Sequence, residues 1–263
     1  MKSKNSYWLS AIILIFPLNV LAWGALGHRV TGGIADHYLN AKAKAELKKI
    51  LGNESLALAS TWADFIKSDR SYDYLGPWHY INISSGKTKE DVMKFLKLDT
   101  GTDLFTKINF LRKELKSKKL AKDKQIFYLK LLLHFVGDAH QPMHMGQPED
   151  RGGNNIKLYW FGAPTNLHRV WDEHLVEFQQ LSYTEHITAI NFVSPSQQLK
   201  WQSQPISEWI YESYQAAQKL YTEVRPEDKL TYSYNYYHVN LMNMQLLKGG
   251  VRLAGLLNEL FGR

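Results

Sequence analysis

No cysteine occurs among the 263 residues, which removes disulfide cross-links, thiolate metal ligands and a cysteine nucleophile at once. Long apolar runs are scarce as well. The longest, LSAIILIF near the N-terminus, falls short of the ~20 residues a membrane-spanning helix needs. Neither a Pro/Gly/Ser-rich linker, a low-complexity tract nor an internal repeat divides the chain, so one large domain is expected. Acidic excess is absent: 32 Lys and Arg against 25 Asp and Glu give a formal charge of +7. That mild surplus suits attraction to a polyanion without demanding it.

The short apolar run sits in a specific setting. Lys2 and Lys4 precede it, and Val20 and Ala22 follow at the −3 and −1 positions of a signal-peptidase site. Residues 1–22 therefore read as a cleaved signal peptide, and the protein as periplasmic or secreted. A lipoprotein anchor would need a cysteine at the cleavage point. Cleavage after Ala22 makes Trp23 the new N-terminus of a domain spanning 23–263, and the loss of two lysines takes the formal charge to +5. An exported chain without cysteine must hold its core by packing or by metal.

Periodicity along the chain is mostly helical. VTGGIADHYLNAKAKAELKKIL has apolar residues at helical spacing, and TDLFTKINFLRKELKSKKL opens on a Thr/Asp cap and ends in lysines. PISEWIYESYQAAQKLYTEV and YNYYHVNLMNMQLLKGGVRLAGLLNELF read as two further long helices. NIKLYWFG alternates and gives the one convincing β signal. The expected architecture is mainly α, with a small β-hairpin near residues 154–163. DKQIFYLKLLLHFVGDAH is apolar nearly all round and reads as a buried central helix. Buried helices rarely carry charge, yet this one carries His134 and Asp138.

Those two residues stand four apart, so they project from one face. The pattern recurs at His168 and Asp172 in NLHRVWDEH. Neutral imidazole nitrogen and carboxylate oxygen both reach zinc at ~2.0–2.2 Å, so residues on adjacent turns can share an ion. A lone pair of this kind is more often a surface ion pair. Two pairs, one in an apolar helix, point to metal. HFVGDAHQPMH adds His140 and His144, STWADFIK offers Asp64, and GPWHYINIS offers His79. A helix cap for Asp64 and a half-buried strand histidine for His79 explain each residue singly but not the accumulation. A free α-amine has a pKa near ~8, so a metal can displace its proton, and a chain beginning at Trp23 would present amine, carbonyl and the His28 imidazole together.

The motifs WGALGHR, WAD, WHYIN, HFVGDAHQPMH, GGNNI, TNLHRVWDEHL and GGVRLAGLLN, in this order and spacing, resemble the zinc-dependent single-strand nucleases of S-one/P-one type, or type I nucleases, in a bacterial form. The resemblance covers nearly the whole chain after Ala22. It implies the mainly helical fold shared with zinc phospholipase C, and a trinuclear cluster. Asp64, His79, His134 and Asp138 would hold one zinc; Trp23 and His28 would hold a second, with Asp138 bridging; His144, His168 and Asp172 would hold the third. Three Zn²⁺ against three aspartates leave a positive surplus suited to phosphate.

Two close metals lower the pKa of a shared water toward neutrality for in-line attack on phosphorus, so no side-chain nucleophile is required. The resemblance thus implies an endonuclease and 3′-nucleotidase acting on single-stranded DNA, RNA and 3′-nucleotides, with 5′-phosphorylated products. Asp64 and Asp138 would act within the catalytic cluster. Lys67 falls where the family places a basic residue near the scissile phosphate, the plain alternative being a solvated helix lysine. Tyr80 is the candidate base-stacking residue, with a core tyrosine as its alternative. Asn82 replaces the aspartate usual in plant and fungal members, and Glu173 follows Asp172 where those enzymes carry an amide. Both leave the base pocket open. His140 is a candidate to hydrogen-bond a metal ligand and Asn155 to brace a ligand loop, whereas His37, His174, His186 and His238 read as structural. A monomer with no stable protein partner is expected.

Two rivals frame this reading. A zinc phospholipase C would have a longer gap from tryptophan to the first histidine, a shorter one between the third and fourth motifs, and glutamate at Asp172. A zinc-sequestering or nucleic-acid-binding protein would show no turnover.

Overall fold

The computed structural model of the protein describes residues 23–262. The leader, and with it the signal-peptide reading, lies outside the described residues. Among the described residues no helix is long and apolar enough to cross a membrane.

The helical expectation holds, with one split. Residues 30–51, which read as one amphipathic stretch, form two helices, α1 (Ala25–His37) and α2 (Ala41–Leu51), because Asn40 intervenes in extended conformation and its side chain accepts from the Ala43 amide. Short helices α3 (Leu56–Ala59) and α4 (Trp62–Phe65) lead into a 3-10 stretch, Arg70–His79. Then come α5 (Lys89–Leu98) and α6 (Leu104–Lys116), each opened by a capping box. The central helix α7 runs Lys122–Asp138, and its last two turns are buried on every side.

The predicted hairpin pairs β1 (Lys157–Trp160) with β2 (Ala163–Asn166), Lys157 opposite Asn166. Its two-residue turn, Phe161 and Gly162, takes positive φ at both positions, which matches the twist of the flanking strands. Sequence periodicity missed β3 (Lys229–Leu230), which adds in parallel to the other edge of β1. Two residues are too few to leave a periodic signal. After β2 the chain forms α8 (Leu167–Arg169), a π-helical turn (Val170–His174) and α9 (Leu175–Phe178). It then continues through α10 (Tyr183–Ile190), α11 (Pro195–Ser203), α12 (Ile206–Glu223) and the long α13 (Tyr232–Phe261).

Two apolar clusters fill the interior. One gathers α6 and α7 through Ile108, Leu111, Leu132 and Phe135; the other gathers Trp23, Trp171, Leu175 and Leu220. Both α1 and α13 serve each cluster: Ala35 and Leu257 belong to the first, Ile34 and Leu246 to the second. The predicted ligands sit where these helices, α7 and the segment after β2 converge.

Candidate metal centre

α7 places His134 and Asp138 one turn apart, both fully buried. The 3-10 stretch ends on His79, whose Nδ1 stands 2.9 Å from Asp138 Oδ2 and 3.1 Å from His134 Nε2. His28 arrives from α1 and stacks on His134, ring centroids 3.7 Å apart. Its Nε2 lies 3.5 Å from Asp138 Oδ1 and 4.0 Å from Asp64 Oδ2, while His134 Nε2 is 3.7 Å from Asp64 Oδ1. Gly137 makes the stack possible, since a Cβ there would fall 2.8 Å from His28 Nδ1.

A third group lies alongside. His168 Nε2 is 3.0 Å and His144 Nε2 3.6 Å from the Asp172 carboxylate. The i,i+4 pairing of His168 and Asp172 survives although the backbone between them widens into a π turn, a feature frequent at functional sites. Asp138 links everything: Oδ2 faces His79 and His134, while Oδ1 faces His28 and, at 3.6 Å, His144 Nδ1.

The tautomers are set by main-chain carbonyls, which accept only from an N–H. His134 Nδ1 meets the Ser60 carbonyl at 2.8 Å, His144 Nδ1 meets that of His79 at 2.7 Å, and His168 Nδ1 that of Gly152 at 2.7 Å. Each ring therefore turns a lone-pair Nε2 inward. Gly152 holds its carbonyl in place at φ 65°, where a side chain would be strained and a Cβ would meet the Met143 carbonyl at 2.6 Å. Gln141, between two donors in the sequence, donates from Nε2 to Asp172 and accepts the Met143 amide.

Electrostatics agree with this design. Burial, aided by His134, lowers His28 to about 3, and burial with Lys67 lowers His79 to about 4. Burial also works against the Asp64 and Asp138 carboxylates. His134 and Lys67 overcome it at Asp64, holding it at about 2; His134 and His144 take Asp138 well below the usual carboxylate range.

The donor set fits zinc. Nitrogen and carboxylate oxygen are the atoms zinc selects when thiolate is absent, and donors around a tetrahedral ion stand roughly 3.4 Å apart. Three groups bring their ligand atoms within 4.8 Å of one another: His28–Asp64–His134, His79–His134–Asp138 and His144–His168–Asp172. Buried polar atoms inside them, His28 Nε2, Asp138 Oδ1, His144 Nε2 and His168 Nε2, have no hydrogen-bond partner among the described residues. Such orphans are costly unless a cation takes them up. Trp23 is fully buried, and the Gly24 amide donates to the Asp172 carbonyl at 2.7 Å, which pins the start of the described chain beside the third group.

A cleft of about 400 Å³ opens onto His79, His144 and His168. Lys67, Tyr80 and Asn82 line it, together with Arg151 and Asn154, neither of which was a candidate from the sequence. Lys67 Nζ is 2.5 Å from Asp64 Oδ1, so it is no solvated lysine, and Tyr80 is 38 % exposed, so it is no core tyrosine.

His140 is a correction. It bonds none of the predicted metal ligands: Nδ1 meets the Val136 carbonyl and Nε2 meets Arg252, within a network with Gln204, Glu212 and Gln245. His186 and His174 bond Asn243 and Thr165, as structural residues do. Asn155 ties its amide to the Asp150 carbonyl and so closes the ligand loop through backbone. Among the described residues no group of potential ligands draws on α10–α13, which supply scaffold.

Imidazoles and carboxylates arranged around a shared aspartate, next to an open cleft, define a metal-dependent hydrolase on a helical scaffold. The chain belongs to the S1/P1 nuclease family, whose model matches residues 23–262. It is 30% identical to Endonuclease 2 of Arabidopsis thaliana across 98% of this chain and 99% of that protein. Similarity extends to Nuclease P1 of Penicillium citrinum, 25% identical over 91% of this chain and 98% of that one. Nuclease S1 of Aspergillus oryzae is 28% identical over 64% of this chain and 60% of its own.

Proposed function

We propose that the protein is a zinc-dependent phosphodiesterase that cuts single-stranded DNA and RNA internally to 5′-phosphorylated products and also acts on 3′-nucleotides. It works after removal of residues 1–22, in the periplasm or outside the cell, as a monomer. The observation that carries the reading is Asp138, whose two oxygens face different donor groups across one buried point.

When bound, zinc supplies a water acidic enough to ionise near neutral pH and positive charge for phosphate oxygens. The chain's own residues do the rest. Asp64, His79, His134 and Asp138 hold the first ion. His28 and the α-amine and carbonyl of Trp23 complete the second with Asp138, and His144, His168 and Asp172 hold the third. Lys67 offers its ammonium to a phosphate oxygen at the cleft. Tyr80 takes an unpaired base on its face, worth ~1–3 kcal/mol, while Asn82 meets the base edge. A base locked in a duplex cannot lie flat on Tyr80, which accounts for single-strand preference.

Digestion of a defined oligonucleotide tests this. Expected products carry 5′-phosphate and 3′-hydroxyl ends, and activity disappears with chelator and returns with zinc. Products ending in 3′-phosphate, or equal rates on single strand and duplex, would contradict the proposal. Release of phosphocholine from phosphatidylcholine at a comparable rate would favour the phospholipase instead.

A further inference from the structure

We propose that Arg151 is a specificity-determining residue that grips a phosphodiester next to the one being cleaved. The inference rests on the nuclease reading above. Arg151 is exposed on the rim of the cleft, where Lys67 is the other lining lysine or arginine and Asp73 the lining carboxylate.

Its backbone stands at φ 57°, in the left-handed region. That conformation costs a residue with a β-carbon ~1–2 kcal/mol. Gly152 and Gly153 follow at φ 65° and 83°, so a third glycine would ease the turn. An arginine stands there instead. Arg112, Arg169 and Arg252 are each matched to a glutamate within 2.8 Å. Arg151, like Arg29, Arg70 and Arg225, is matched to no carboxylate among the described residues, and of these four it is Arg151 that lines the cleft.

The loop beneath it is rigid. Asp150 Oδ1 accepts from the Gly153 amide at 2.7 Å and from the Tyr221 hydroxyl at 2.9 Å. Asn154 Nδ2 donates to the Arg151 carbonyl at 2.8 Å, and the next carbonyl, that of Gly152, fixes His168. A guanidinium is thus delivered from a fixed base beside the third donor group, with its planar fork open to solvent. That fork matches the oxygens of a phosphate in a way an ammonium does not. A 3′-nucleotide carries a single phosphate, which the donor groups claim, and leaves nothing for Arg151. A strand brings a further phosphate to the rim. Arg151 therefore sorts polymer from mononucleotide.

Arg151→Gly removes the guanidinium while relieving the backbone, and Arg151→Lys keeps charge without the fork. The glycine variant is expected to lower kcat/KM for a single-stranded oligonucleotide about tenfold more than for a 3′-nucleotide, chiefly through KM. Binding of a hydrolysis-resistant oligonucleotide, read by fluorescence anisotropy, should lose about 0.7 from its log–log salt slope, the value of one single-strand phosphate contact. The lysine variant should restore the slope and only part of the affinity. Equal losses on both substrates, or an unchanged oligonucleotide KM and salt slope in the folded glycine variant, overturn the assignment. Wild-type protein that cleaves neither substrate overturns the nuclease reading instead, and the anisotropy arm then still decides for or against Arg151.

Discussion

Asp138 has no stand-in among the donors, because each of its oxygens serves a different set of histidines. Asp138→Asn keeps the shape and removes the charge that lets two cations sit close together. Zinc content should fall by at least one ion per chain and turnover by about a hundredfold or more. Full zinc with near-normal turnover would show that the carboxylate is not shared. Gln141 acts one step further out, steadying Asp172 and the Met143 amide at once. Gln141→Ala should weaken zinc at the third group about 10–100-fold, the usual cost of an outer partner, in competition with a chromophoric chelator. Undiminished affinity would mean that Asp172 needs no such support.

Elements differ in how much of themselves they write into sequence. α7 is legible because His134 and Asp138, set at helical spacing in an otherwise apolar stretch, would be costly to bury without a cation between them. The hairpin is legible from alternation, and the donor set from residue type and order. The hinge at Asn40, the 3-10 stretch ending on His79 and the π turn carrying Asp172 are not, because tertiary contacts rather than side-chain pattern select those backbones. Equally silent are the carbonyls of Ser60, His79 and Gly152, since every residue owns one. Arg252 meets His140 from α13, more than a hundred positions on, and no local motif announces that pairing. The His140 network ties α12 and α13 to the end of α7, where Gln245 holds the His140 carbonyl and Ser213 that of Ala139. Arg252→Met should therefore lower the melting temperature by several degrees, about 1–3 kcal/mol of lost hydrogen bonding. An unshifted melt would mark the network as passive.

At the scale of the molecule, metal replaces the cross-links that cysteine would have made. Chelation should remove several kcal/mol, since a site saturated a thousandfold contributes ~4 kcal/mol, and so lower the melting temperature by roughly 10 °C or more. Acid works in the same direction. Burial holds His28 and His140 at about 3 and His79 at about 4, against ~6.5 in the unfolded chain. Between those values the unfolded state binds more protons, so stability is full above ~6.5 and drains as pH falls through 4 to 3. His134 and His168, raised by Asp138 and Asp172 against their burial, oppose this until zinc displaces their protons. Melts should decline steadily from pH 7 to 4, and a flat profile would contradict neutral buried rings. Processing belongs to the same scale. One residue left ahead of Trp23 would turn its amine into an amide, so such a chain should lack one zinc and most of its activity beside protein starting at Trp23. Equal zinc and equal rates would reduce Trp23 to ordinary core.

The scaffold role of α10–α13 has a consequence for the order of assembly. Synthesis proceeds from the N-terminus, so every donor up to Asp172 emerges before the helices that space the donors correctly have been made. Zinc met too early would tie imidazoles and carboxylates into wrong partnerships, much as premature oxidation scrambles disulfides. Refolding with zinc added after the chain has collapsed should give more active protein than refolding in excess zinc from the first moment. Equal yields would mean that the nascent donors already find their own companions.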